Sequence, residues 1–113
     1  MQLTVWQKSH ALVLTVYKLT RSFPRGELFG LTSQMRRAAT SVPANIAEAF
    51  KKRSKSDKVR MLNISQGSLE ELRYYFILAA DLGYLQPGAV AKELEEIARL
   101  LGGYIGRIAE SNR

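Results

Sequence analysis

One stretch of the sequence carries polar side chains at the spacing of a helix face. They recur every three or four residues and therefore form a row: Gln34, Arg37, Ser41, Asn45, Glu48 and Lys52. The arginine, hydroxyl, amide and carboxylate of this row could together hold a small polar ligand. Arginine and glutamate beside a bundle core also form hydrogen bonds to neighbouring helices, and this structural role is the stronger interpretation.

A second group of candidate functional residues is basic and lies between residues 36 and 60. Eight cations stand there against two acids, Glu48 and Asp57, so the segment has a net charge of +6. The cations are Arg36, Arg37, Lys51, Lys52, Arg53, Lys55, Lys58 and Arg60. Clustered cations neutralise phosphates and release counterions, so these residues are the candidate nucleic-acid-binding site. A solvated loop whose lysines only maintain solubility is the alternative.

The charge of the whole chain favours polyanionic or acidic partners. The 113 residues include 17 Lys and Arg against 10 Asp and Glu, a net charge of +7, so the basic segment holds nearly all of the excess. We find no helix-turn-helix or RNA-binding signature. Any binding of RNA or DNA is therefore expected to be nonspecific.

The composition leaves little material for catalysis or for a metal site. The chain has no cysteine and one histidine, His10, and Gln7 stands where a di-iron bundle needs a glutamate. His10 is expected to be a packed histidine with a hydrogen-bond partner. The glycines of Gly102-Gly103-x-x-Gly106 lack the preceding strand and the lysine of a phosphate-binding loop. We therefore expect no enzyme activity, no cofactor and no metal.

Four amphipathic segments must position these residues. Apolar periodicity predicts helices over about residues 4–22, 32–50 and 56–82, and from about residue 87 to the last residues. Four helices with short links predict an all-α, antiparallel up-and-down four-helix bundle, a single domain over residues 1–113. No apolar run approaches the roughly 18 residues that span a bilayer, and the first residues lack a signal-peptide pattern, so we expect a cytoplasmic location.

The first predicted helix is apolar over more than one face. Its apolar residues cover an arc of about 220° when placed at 100° per residue. They are Val5, Trp6, Leu12, Val13, Leu14, Val16, Tyr17 and Leu19. We expect one part of this arc to pack in the bundle and another part to pack against a second subunit. An apolar patch of ordinary surface is the alternative.

The second helix carries local signals of its own. It has Thr32 as a plausible N-cap and places Phe50 at core spacing, and Pro43 inside it predicts a kink or a broken turn. Thr40 or Ser41 is expected to satisfy the carbonyl of Ala39, which Pro43 leaves without its amide.

The third and fourth helices each have a predicted start. Ser56-Asp57 is an N-cap signature, and Pro87 suits a first helical turn. Gly83 suits a left-handed position after the third helix. The small residues Ser65, Gly67 and Ser68 predict a close approach of the alanine-rich second helix, which would explain their cost in helix propensity.

A longer set of motifs resembles a known family. The motifs are Phe23-Pro24, Glu27, Gly30-Leu31, Gln34, Arg36-Arg37-Ala38-Ala39, Ser41-Val42-Pro43-Ala44-Asn45-Ile46-Ala47-Glu48, Gly67-Ser68 and Glu71-Leu72. They resemble the bacterial four-helix-bundle family named for proteins encoded in 23S ribosomal RNA intervening sequences. Ala49 stands where such proteins usually carry glycine. The resemblance implies a five-fold ring and kinship with the accessory proteins of diversity-generating retroelements, which look like basic pentamers that bind nucleic acid.

The resulting hypothesis is a non-enzymatic, cytoplasmic homo-oligomer that the resemblance makes a pentamer. It would bind RNA or DNA nonspecifically through the basic segment, without contacting a membrane. The alternative is an oligomeric scaffold that recognises an acidic protein partner and has no nucleic-acid role.

Overall fold

The chain is all-helical in the computed structural model, which describes residues 3–111. The helices are α1 (Thr4–Thr20), α2 (Leu31–Lys51), α3 (Lys55–Asp81) and α4 (Ala91–Ala109), with a short 3₁₀ helix at Arg25–Glu27. Each helix packs on the next, and α1 also packs on α4. The four helices therefore form an antiparallel up-and-down bundle, 49 Å long and 24 by 21 Å across, which confirms the predicted fold class.

The core is a row of buried apolar side chains from each helix. The fully buried larger members are Met35, Ile46, Leu62, Leu69, Leu72, Ile97, Leu101, Val16 and Val42. Within α2, α3 and α4 they are separated by three, four or seven residues, which are the spacings that keep one face inward. Each such side chain contributes about 1.5 to 3 kcal/mol of transfer free energy. The predicted inward rows of α3 and α4 are confirmed at the buried residues Leu62, Leu69, Leu72, Phe76, Leu94, Ile97 and Leu101. Val59, Tyr104 and Ile108, which have the same spacing, are half-buried.

The most extensive helix contact joins α2 to α3. Ser65 is fully buried and its hydroxyl donates a hydrogen bond to the carbonyl of Val42 at 2.7 Å. The Ser68 hydroxyl donates to Ser41 Oγ at 2.8 Å. Small side chains let the two backbones approach, so the predicted contact is confirmed at these two serines. Gly67 is exposed and lies away from this contact.

Helix α2 continues through Pro43 without a break. Pro43 is buried, and its missing amide leaves the turn without one backbone hydrogen bond. Thr40 donates instead to the carbonyls of Arg36 and Arg37, both at 3.0 Å. The prediction that Thr40 or Ser41 satisfies the Ala39 carbonyl is therefore wrong, because a threonine hydroxyl reaches back three or four residues along its own helix.

Two predicted helix starts are also corrected. Helix α3 begins earlier than predicted, since Ser54 is its N-cap and accepts a hydrogen bond from the Asp57 amide at 3.1 Å. Helix α4 begins at Ala91, after a turn in which Val90 has a left-handed φ of 56°. Pro87 lies in that turn and is not part of the helix.

Glycines mark the end of α3 and the start of α2. Gly83 has a φ of 84°, so the predicted left-handed residue after α3 is confirmed. Gly30, and not Thr32, is the N-cap of α2, and Thr32 is buried inside the first turn.

The α1–α2 loop is fixed by Glu27. Its Oε1 accepts a hydrogen bond from the Leu31 amide at 3.3 Å, and its Oε2 accepts one from the Tyr84 hydroxyl at 2.9 Å. A Cβ on Gly30 would lie 3.0 Å from Glu27 Oε1, so glycine leaves room for the carboxylate. The rings of Phe23 and Tyr84 pack at 5.3 Å. The carboxylate therefore caps α2 and ties it to the α3–α4 loop.

Helix α1 buries one part of its apolar arc and exposes another. Leu12, Val13 and Val16 are buried, whereas Leu14 is 60% exposed and Tyr17 is 40% exposed. The exposed part is the surface that was expected to contact a second subunit, and this contact stays a prediction.

Phe50 of α2 is 51% exposed, contrary to the predicted core position. Ala49, three residues after Ile46, takes the last inward position of α2. The next residue therefore turns about 100° away from the core.

Candidate nucleic-acid interface

The α2–α3 turn and its flanking residues 51–60, here called the elbow, lie at one end of the bundle. Residues 52–54 separate the two helices, and Lys52 leaves α2 with extended backbone angles. Because the helices alternate in direction, the last turn of α4 lies at this same end. The elbow therefore brings together six of the eight predicted cations: Lys51, Lys52, Arg53, Lys55, Lys58 and Arg60.

Two elbow lysines bind helix carbonyls. Lys58 Nζ donates a hydrogen bond to the carbonyl of Ala49 at 3.1 Å, at the C-terminal end of α2. Lys55 Nζ donates to the carbonyl of Ala109 at 3.3 Å, at the end of α4, and also to that of Ser111. Helix C-termini carry partial negative charge, so both ammonium groups are favourably placed. These lysines therefore stabilise the end of the bundle.

Three other elbow cations have no carboxylate partner among the residues that the structure describes. Within residues 3–111, the side chains of Lys51, Lys52 and Arg53 form neither a hydrogen bond nor an ion pair. Lys51 and Arg53 are exposed and Lys52 is half-buried. Arg60 is 4.0 Å from Asp57 one turn away, an exposed pair that neutralises little of the positive potential.

Arg36 and Arg37 lie apart from the elbow. They are about 15 residues before Lys51 on one helix, a separation of about 22 Å at 1.5 Å per residue. Arg36 Nε donates to Thr20 Oγ1 at 2.9 Å, and its guanidinium lies 4.6 Å from the centre of the Tyr17 ring. Arg36 and Arg37 were predicted to belong to the site, but most of a helix separates them from the other six cations. They therefore lie outside the elbow.

Arg37 belongs to a hydrogen-bonded group that joins α2 to α3. Its Nη2 contacts Glu71 Oε2 at 2.7 Å and Gln34 Oε1 at 2.9 Å. The Tyr75 hydroxyl donates to the same Glu71 oxygen at 2.9 Å. This hydrogen bond to the carboxylate, followed by burial, raises the pKa of Tyr75 above its usual value of 10.0.

The middle of the polar row is also occupied by structural contacts. Asn45 Nδ2 donates to the carbonyl and to the hydroxyl of Ser41, at 2.8 and 2.9 Å, and Ser41 Oγ in turn accepts from Ser68. Glu48 is exposed and has no hydrogen bond or ion pair within residues 3–111. The first four residues of the row, from Gln34 to Asn45, therefore form structural hydrogen bonds, in keeping with the structural interpretation.

His10 is exposed and stacks on Trp6. The ring centres are 5.3 Å apart and the planes are inclined by 10°. The predicted hydrogen-bond partner is not found among residues 3–111, because the ring lies on the outer part of α1. Across the same residues, no group of three or more His, Cys, Asp or Glu side chains could hold a metal ion.

One exposed aromatic residue escapes prediction from the sequence. Phe29, in the α1–α2 loop, is 93% exposed. Its position in the loop between Pro24 and Gly30 could have predicted its exposure, since loop residues lie at the surface.

The fold and the elbow define a class: an antiparallel four-helix bundle with a cluster of cations at one end. None of the helices within residues 3–111 combines the length and apolarity that a bilayer crossing needs. Residues 1–103 match the family model of the 23S rRNA-intervening sequence proteins, and the chain belongs to that family. This confirms the family resemblance of the sequence motifs.

A solved relative has the same fold. It is the crystal structure of a protein with unknown function from the S23 ribosomal protein family of Bacteroides thetaiotaomicron. The two chains are 27% identical, with a TM-score of 0.80 over 90% of this chain and 98% of the other. No curated protein matches the chain.

Proposed function

We propose that this protein is a non-enzymatic, cytoplasmic homo-oligomer, assembled as a pentamer, that binds RNA or DNA nonspecifically through the elbow. The observation that carries the proposal is the set of Lys51, Lys52 and Arg53, which have no carboxylate partner within residues 3–111. The phosphate backbone of a nucleic acid supplies the anions that this surface lacks.

The chemistry of the elbow favours phosphate contacts over base readout. Lysine presents a point charge on a flexible stem, which suits a phosphate and does not select a base. Lys55 and Lys58 hold the ends of α4 and α2, so they fix the backbone from which the three unpaired cations extend. The working site is therefore narrower than residues 36–60.

Assembly would strengthen this site. Five copies would carry roughly five times the charge of one, so neighbouring elbows would add their potentials. The exposed part of α1, with Leu14 at 60% and Tyr17 at 40%, supports an oligomer because a contiguous apolar surface marks an interaction site. The five-fold ring and the kinship with retroelement accessory proteins come from the sequence resemblance.

A salt titration tests the proposal. The affinity for a fluorescent RNA or DNA should fall steeply and linearly on a log–log plot as salt rises. Replacing Lys51, Lys52 and Arg53 by alanine should flatten the slope by roughly one unit for each phosphate that is no longer neutralised.

The matched control replaces Lys18, Arg21 and Lys92, three exposed cations at the other end of the bundle. This second triple variant removes the same charge but leaves the elbow intact, so its slope should stay close to that of the wild type. Equal effects of both triple variants, or no binding by the wild type at low salt, would contradict the elbow as the site.

A scaffold that binds an acidic protein is the second candidate function. The observation that favours it is the number of large exposed apolar side chains, including Phe29, Tyr74 and Ile77, because apolar surface suits a protein partner better than a phosphate backbone. A wild type that oligomerises but binds neither RNA nor DNA at low salt would support this candidate.

A further inference from the structure

An apolar groove lies at the end of the bundle opposite the elbow, here called the loop end. It has a volume of about 300 Å³ and lies between the last turns of α3 and the α3–α4 loop. Its apolar lining is Phe76, Ile77, Ala80, Pro87, Ala91 and Leu94. Ile77 is 54% exposed, so much of this surface is open to water. A hollow of this kind accepts a single apolar side chain.

Phe29 is the most exposed large apolar side chain of the described residues, at 93%. The backbone around it is fixed, because the Gly30 amide donates to the Glu27 carbonyl at 3.0 Å and the Leu28 amide donates to the Arg25 carbonyl at 3.1 Å. The Glu27 side chain is held at the same time by α2 and by the α3–α4 loop. Phe29 is therefore a preorganised aromatic anchor, whose docking costs little loop ordering.

The anchor and the groove lie at the same level of the bundle. The α1–α2 loop carries Phe29 and the α3–α4 loop forms one wall of the groove, and both loops are at the loop end. Phe29 does not line the groove of its own chain. Arg25 on the anchor loop and Asp81 in the groove lining are both exposed and have opposite charges, and the other charged residue of the lining, Arg73, forms an ion pair with Glu70 at 3.4 Å. One copy therefore presents an exposed aromatic side chain, and another copy presents an apolar groove that its own Phe29 does not line.

We propose that Phe29 of one copy docks into the groove between Phe76 and Leu94 of the next copy. Such a contact is heterologous, since two different surfaces meet, and repeating it closes a ring or extends a filament. The inference rests on the homo-oligomer of the proposed function and names the surfaces that would join its copies.

The test uses two complementary variants. Phe29→Ser removes the anchor but keeps the groove, and Ala91→Trp fills the groove from an exposed position but keeps the anchor. Native mass measurement should find the wild type oligomeric and each variant alone as a single chain. An equimolar mixture should give a complex of two chains, because only one intact anchor and one intact groove remain. Phe50→Ser, which removes a 51% exposed phenylalanine at the elbow end, should keep the wild-type mass.

Other outcomes would overturn the inference in distinguishable ways. A Phe29→Ser variant with the wild-type mass, or a mixture that remains single chains, contradicts the docking of Phe29 and leaves the homo-oligomer standing. A single-chain wild type contradicts both the docking and the oligomeric part of the proposed function. Circular dichroism checks that every variant keeps the helical content of the wild type.

Discussion

Among residues 3–111, three cations at the elbow end of the bundle have no carboxylate partner, whereas at the loop end the carboxylate of Glu27 accepts two hydrogen bonds. Glu27 caps α2 and accepts from Tyr84, so its charge stabilises the fold. Lys51 and Arg53 contact no anion within residues 3–111. The Glu27 carboxylate at the loop end therefore joins two loops, whereas Lys51 and Arg53 at the elbow end are available to a partner.

The comparison separates motifs that build the fold from residues that can bind. The family motif around Glu27 and Gly30 forms one hydrogen-bonded cap, and the serines of α2 and α3 form the contact between those helices. Lys51, Arg53 and Phe29 are exposed and available to a partner, and none of them takes part in those contacts.

The largest expected effect that tests this difference comes from Glu27→Ala. The substitution leaves the first turn of α2 uncapped and the Tyr84 hydroxyl without its acceptor, and we expect a loss of about 1 to 2 kcal/mol in the free energy of unfolding. Urea unfolding followed by circular dichroism measures it. Glu48→Ala is the matched control, because Glu48 is exposed and unpaired within residues 3–111. A cost for Glu48→Ala as large as that for Glu27→Ala would remove the contrast between engaged and free carboxylates.

A smaller effect distinguishes two kinds of lysine within the elbow. Lys58→Met removes the hydrogen bond to the Ala49 carbonyl and the favourable charge at the end of α2, and we expect it to cost about 1 kcal/mol of stability. Lys51→Met, at an exposed side chain without such a bond, should change the stability by less than about 0.5 kcal/mol. Urea midpoints measured side by side check the difference. Nucleic-acid affinity should respond in the opposite order, and identical responses of the two variants would show that the elbow lysines are equivalent.

The sequence predicts the bundle well because each helix has a clear apolar period. The positions of Leu62, Leu69 and Leu72 in the core follow from spacing alone. Helix ends are less predictable, since Ser54 and Ser56 are both acceptable caps and only the packed backbone selects Ser54. The end of α2 likewise depends on which of two adjacent residues takes the last inward position.

The candidate site was predicted only in part, because clustering in sequence is not clustering in space. Residues 36–60 span most of a helix, and a helix carries Arg37 about 20 Å away from the elbow. The partners of Lys55 are distant along the chain, so no local pattern reveals them. The same holds for Glu27 and Tyr84, which a tertiary contact brings together.

The smallest expected effect is a pH dependence of the free energy of unfolding, caused by Tyr84 at the loop end. The hydrogen bond from the Tyr84 hydroxyl to Glu27 raises the pKa of Tyr84 above its usual value of 10.0. A raised pKa in the folded state means that the contribution to stability is complete below about pH 10 and is lost as the pH rises through the folded-state value. Ionised Tyr84 would also face the Glu27 carboxylate at hydrogen-bond distance, which is repulsive.

Tyr84→Phe removes this titration while keeping the ring that packs on Phe23. The wild type should be more stable than Tyr84→Phe at about pH 8, and the difference should shrink as the pH rises above 10 and through the raised folded-state pKa of Tyr84. Comparing the two proteins at each pH cancels the contributions of the groups that both proteins contain. Tyr74→Phe serves as the control for removing a tyrosine hydroxyl, because Tyr74 is exposed and forms no hydrogen bond within residues 3–111. A constant difference for Tyr84→Phe would mean that the Glu27 carboxylate is not engaged by Tyr84 in solution, and the contrast between the two ends would then rest on the helix cap alone.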